Sequence, residues 1–120
     1  MHPALKIFLD EYQTCLKATD EKTEKTRKKF VRLQKQINST GTTDELLSEL
    51  FSIAHSLFQS NYLLMESHMR VDNIRANYSL EDQKIIDSYD KVSEKASLLV
   101  RVILDYKRTL TTTNETTQEL

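Results

Sequence analysis

The stretch IIDSYDKVSEKASLLVRVILDYKRTL, residues 85–110, decides the fold. Ile85, Tyr89, Val92, Ala96, Leu99, Ile103, Tyr106 and Leu110 follow one another at steps of four and three. A strand would alternate every second residue, whereas this spacing keeps one apolar line on one side of a helix. Steps of three and four are also the seam by which helices wind around each other.

Working outward, the same spacing recurs twice. Leu47, Leu50, Ala54, Leu57, Asn61, Leu64, His68 and Val71 form a second seam. Leu9, Tyr12, Leu16, Thr19, Thr23, Thr26, Phe30, Leu33 and Ile37 form a first. Between the first and second lies Asn38-Ser39-Thr40-Gly41-Thr42-Thr43, which contains the single glycine of the chain. A glycine just past a helix end supplies the left-handed backbone that terminates it. Asp44 and Glu45 then place negative charge in the next first turn, where the helix dipole favours it. A second break is expected at Asn77-Tyr78-Ser79, with Ser79 and Asp82 in a capping arrangement. Three helices over about 4–38, 44–77 and 79–110 follow, each roughly 45–50 Å long.

The sequence therefore predicts an all-α fold: an elongated antiparallel three-helix bundle over 1–110, with coiled-coil-like packing. Residues 111–120 lack periodicity and are expected to form a flexible C-terminal tail. The first segment is the ambiguous one. Its middle, Thr19 to Lys29, is dense in Thr, Lys and Glu and offers little to bury. Either the helix bridges there through solvent, or it breaks into two and the bundle has four helices.

Composition excludes other classes. The 120 residues include one Gly and one Pro, too few for the tight turns of a sandwich or barrel or for a glycine-rich phosphate loop. Seventeen Lys and Arg against eighteen Asp and Glu leave a net charge of −1, so bulk charge gives no footprint for nucleic acid. No apolar run is long enough to span a membrane. The start carries no basic leader, and the single Cys15 cannot form an internal disulfide; an intracellular location, cytoplasmic or nuclear, is expected. In that setting the N-x-S/T triplets at Asn38, Asn77 and Asn114 are incidental.

Chemistry-bearing residues are sparse. His2 beside the N-terminus is expected to be disordered. His55 falls one step off its seam and should be exposed; His68 and Asn61 lie on the seam, as polar residues that fix register. Neither His55 nor His68 has a Cys or second His at helical ligand spacing, so no metal or cofactor is expected. Cys15 reads as a small residue at the core edge, and Tyr62, Tyr89 and Tyr106 as apolar-stripe residues with wet hydroxyls. No catalytic residue is assigned, and no enzyme is expected.

Ile53-Ala54-His55-Ser56-Leu57-Phe58-Gln59-Ser60 resembles the phosphorylated helix of histidine phosphotransfer domains. Leu57 fits that pattern, while Phe58 and Gln59 stand where the family has Lys and Gly. The resemblance implies a degenerate phosphotransfer-like signalling protein using His55. A second alternative is nucleic-acid binding through Arg27, Lys28, Lys29, Arg32 and Lys35, a basic run that also suits an acidic protein partner.

The leading expectation rests on surplus apolar surface. Phe51, Phe58, Tyr62, Met65 and Met69 form a second stripe beside the seam of the middle helix. Three helices cannot cover both. The chain is thus expected to be a non-enzymatic helical interaction module, a small adaptor or scaffold subunit whose protein partner, itself or another helical chain, packs on that stripe.

Overall fold

The computed structural model describes the backbone of residues 1–119 and the side chains of residues 1–112. Helix α1 runs Pro3–Thr40, α2 Asp44–Asn73, α3 Leu80–Asp87 and α4 Tyr89–Glu119, with a 3-10 turn over Arg75–Asn77. The all-α bundle is as expected: three helical rods, the third bent between α3 and α4. The last helix, expected to end at 110, runs on to Glu119 through the stretch expected as a tail; residue 120 lies outside the described residues.

Local chemistry sets the ends. Pro3 opens α1, and Nδ1 of His2 accepts from the Ala4 amide, so His2 caps the helix it was expected to leave. Gly41 closes α1 at φ 88°, its N–H donating to Ile37 at 2.8 Å. Thr43 caps α2 through the Leu46 amide, and Ser79 caps α3 through the Asp82 amide. Helix α2 stops at Asn73, short of the expected 77, and passes into the 3-10 turn.

Two clusters of buried side chains lie end to end. The lower joins Phe30, Leu33 and Ile37 of α1 to Leu46, Leu50 and Leu57 of α2 and Ala96, Val100 and Ile103 of α4. The upper joins Leu9 and Tyr12 to Leu64, Val71, Tyr78 and Ile86. The late part of α1 thus meets the early part of α2, and the late part of α2 meets α3: α1 and α2 are antiparallel, and α1 and α4 parallel. The body measures 66 × 22 × 18 Å, with a radius of gyration of 18.6 Å. A compact chain of this length would have about 14 Å.

The middle of α1 corrects the sequence reading. It neither breaks nor bridges solvent. Thr19 is fully buried and Thr26 nearly so. The Thr19 hydroxyl meets the Ser60 hydroxyl at 2.9 Å and the Ser60 carbonyl at 3.3 Å, and the Thr23 hydroxyl donates to the Thr19 carbonyl at 2.8 Å. A threonine is small enough to let two helices close, and its hydroxyl finds an acceptor in the neighbouring helix or the preceding turn. Asn61 to Ser97, at 3.0 Å, continues this polar layer onto α4.

The bend has an identifiable cause. In an unbroken helix the Tyr89 amide would bond the Ile85 carbonyl. Here the Tyr12 hydroxyl of α1 donates to Ile86 at 2.8 Å and approaches the Ile85 carbonyl at 3.2 Å, and the Ile85 carbonyl accepts instead from the Ser88 amide at 3.1 Å. A side chain inserted into the backbone ladder bends a helix. The buried line departs from the expected seam by one residue at one position on each side of it: Ile86 and Val100 lie deeper than Ile85 and Leu99, while Ala96 and Ile103 hold the seam.

Candidate interaction face

Helix α2 packs on α1 along one flank and on α4 along the other, which leaves its outer side uncovered. Its inner line, Leu50, Ala54, Leu57, Leu64 and Val71, is essentially inaccessible. One residue on, the outer line begins. Phe51 is 51% exposed, Phe58 54%, Tyr62 47% and Met69 55%, while Met65 is half-buried. One residue turns a helix by about 100°, so a side chain next to a core position swings clear of both neighbours. The five residues predicted for an interface therefore share one face, four of them in solvent.

The structure adds to that face. His55 is exposed and lies flat on Phe51, ring centroids 5.6 Å apart and planes 9° apart. Leu63, 57% exposed, joins His55, Phe58, Gln59 and Tyr62 around a shallow depression. Phe58 also borders a groove towards α4, against Val100 and Leu104. The Glu66 carboxylate one turn on pushes the Tyr62 phenol pKa up. Sequence reading missed Leu63 and Leu104. Both lie beside seam or stripe positions, and that adjacency was the available signal.

The basic run is exposed at all five positions, Arg27, Lys28, Lys29, Arg32 and Lys35. Arg27 pairs with Glu24 on the same helix, which holds that carboxyl below its usual range. Lys29 and Arg32 line an α1–α2 groove with Gln36, Glu49 and Ser52. Lys22 and Lys25 extend it upward. At the upper end of the same side the lining becomes Asp10, Glu11, Thr14, Cys15, Glu66 and Arg70.

The remaining titratable groups sit inside the upper half. His68 is half-buried and stacks on Tyr89 at 4.0 Å, with Tyr12 at 5.8 Å. Burial pushes its pKa down, against the opposing pull of Asp72, Asp87 and Asp90. Arg75 bridges Asp72 at 3.0 Å and Asp87 at 2.8 Å, tying the 3-10 turn to the ends of α2 and α3. The Cys15 thiol is pushed up by burial and by Glu11, the opposite of what an attacking thiolate needs. Among the described residues no group of three or more His, Cys, Asp or Glu is placed to hold a metal ion, and no helix is long and apolar enough to cross a membrane.

Comparison with protein-family models, with curated proteins and with solved structures finds no match.

Proposed function

We propose that this protein is a non-enzymatic helical interaction module, a small adaptor or scaffold subunit of an intracellular assembly. The outer face of α2 is its working surface. One observation carries the reading: Phe51, Phe58, Tyr62, Leu63 and Met69 stand exposed together on one helix. Single exposed apolar residues are ordinary, but a contiguous aromatic and Met stripe marks an interface. Its spacing is the spacing by which helices lie in grooves. The basic run on α1, exposed at all five positions, offers electrostatic guidance to the same encounter.

The test places a photo-crosslinking amino acid at the exposed Gln59, within the stripe, and irradiates cells producing the full chain. A covalent protein adduct is expected, lost when Phe58→Asp and Tyr62→Asp are added. Failure to form any stripe-dependent adduct would refute the proposal.

A further inference from the structure

Helix α1 carries its cations on different sides. Lys22, Lys25, Lys29 and Arg32 follow one another at steps of three, four and three, which holds them in one line along the groove with α2. Arg27 lies on another side, paired with Glu24, whose carboxyl is held low by that bond first and also by Lys95 of α4. The four cations along α2 form no ion pair among the described residues. Like charges three and four residues apart on a helix repel one another. The line therefore destabilises the free fold, and its repulsion is concentrated over about 15 Å of helix.

Across from the line stand Ser52 and Ser56 of α2. They follow Phe51 and His55 by one residue, and that further 100° of turn puts them on the flank towards α1. The two helices enclose a trough there. Its upper compartment, about 240 Å³, has Lys22, Lys25 and Lys29 on one wall, Ser52 and Ser56 on the other, Ile53 on the floor and no acid in its lining. The lower compartment, about 400 Å³, shares Lys29, Ser52 and Ile53 and adds Arg32, with Gln36 and Glu49 beyond it. The trough is bounded. Above it α1 and α2 close at the Thr19–Ser60 contact, and past that point the lining holds Asp10, Glu11 and Glu66.

Every polar side chain of the upper compartment, ammonium or hydroxyl, can donate a hydrogen bond. Such a lining selects a ligand rich in acceptors and in negative charge. A phosphate group meets both needs, with up to two charges and three acceptor oxygens. Lysines bind it as point charges, and an arginine fork grips it through two bonds. A nucleic-acid duplex or a flat bilayer would rest on the rim and leave half-buried Lys22 and Ser56 untouched. The acids above the pinch repel a polyanion longer than the trough.

We infer that this trough binds a soluble polyphosphate ligand, a chain or cluster of several phosphates that fits along the line from Lys22 to Arg32. The phosphates bridge the lysines and relieve their mutual repulsion, and Glu49 limits the site at its lower end. The site lies on the flank of α2 away from the outer stripe and does not depend on it.

Inorganic tripolyphosphate is the probe, titrated into the purified full chain in metal-free buffer at low salt and followed by calorimetry and melting temperature. One saturable site per chain is expected, with a rise in melting temperature of about 5 °C near saturation and an affinity that falls as salt is added. Lys25→Gln with Lys29→Gln should weaken binding about tenfold or more. The same pair should leave the ligand-free protein as stable or more so, since the repulsion is relieved. Lys28→Gln with Lys35→Gln removes equal charge from the same helix outside the trough lining and should leave affinity within about twofold. Should the first pair fail to fold, Arg32→Gln reads the same site from the lower compartment, with several-fold weaker binding expected.

Absence of saturable binding, or equal loss from both lysine pairs, would overturn the inference. Tighter binding of single-stranded oligothymidine or of phosphatidylserine vesicles than of tripolyphosphate would overturn it too, and would assign the line to an extended polyanion or to a membrane surface.

Discussion

Above and below the Thr19–Ser60 layer, the same three rods are held by different chemistry. The lower half is aliphatic with one ring pair, Phe30 edge-on to Tyr106 at 5.5 Å. The upper half brings Tyr12, Tyr78, Tyr89 and His68 into its interior or its margin. Its hydroxyls reach backbone: Tyr12 to Ile86 at 2.8 Å and Tyr78 to Leu5 at 2.7 Å. Burial of apolar area is non-directional, so the lower half gains cohesion without much choice of register. A buried phenol must find a partner, so the upper half gains a specific arrangement. The difference teaches that one end of the rod supplies stability and the other supplies geometry.

The comparison can be broken most easily from below. Leu57 is fully buried between the rods, and Leu57→Ala should cost about 3 kcal/mol, read from denaturant or thermal unfolding. A loss under ~1 kcal/mol would mean that the lower half is not the source of cohesion. Next in size, Tyr12→Phe keeps the ring and deletes the hydroxyl. It should cost about 1–2 kcal/mol, because the Ile86 carbonyl loses its buried donor. Its more telling readout is hydrogen exchange at the Tyr89 amide, which should slow if the ladder closes and the bend straightens. A Tyr12→Phe protein with unchanged exchange there would remove the hydroxyl as the cause of the bend.

Smaller again is Thr19→Val, which swaps a hydroxyl for a methyl at nearly constant volume. A loss of up to ~1 kcal/mol is expected, since half-buried Ser60 can turn towards water. A loss as large as that from Leu57→Ala would move the polar layer from spacer to keystone. The smallest effect sharpens the comparison through pH. Burial holds the His68 pKa below the ordinary 6.5 of the unfolded chain. Between those two values the unfolded state binds more protons, so stability rises with pH. The contribution is complete above 6.5 and declines as pH falls towards the folded value. His68→Gln should flatten this slope, whereas His55→Gln, on the exposed face, should leave it intact.

Much of this was legible in the sequence because its causes are local. Gly41 and Ser79 mark helix ends through bonds within a few residues, and both act where expected; Thr43 caps α2 by the same local chemistry. The outer stripe was legible as a surplus: Phe51, Phe58, Tyr62 and Met69 repeat the helical period beside a seam that was already complete. The middle of α1 was misread because Thr19 and Thr26 were judged as polar residues. The burial of Thr19 depends on Ser60, which lies 41 residues away, and that of both threonines on the small size that lets the helices close. The bend was barely legible. Within Leu80–Tyr106 only Ser88 hints at it, its hydroxyl donating to the Lys84 carbonyl at the break; the other contact is a hydroxyl on Tyr12, 74 residues from the carbonyl of Ile86 that accepts it.

That long-range bond also orders events in time. The Gly41 end joins segments that follow each other directly, so α1 and α2 can begin to close there as soon as both have been synthesised. The opposite end must wait, because the Leu5 carbonyl finds its donor and the Tyr12 hydroxyl its acceptor only after Tyr78 and Ile86 exist. Distant contacts carry the larger loop-closure cost and come late in folding. The Tyr12 hydroxyl, whose acceptor lies 74 residues on, is therefore the closing latch of the fold.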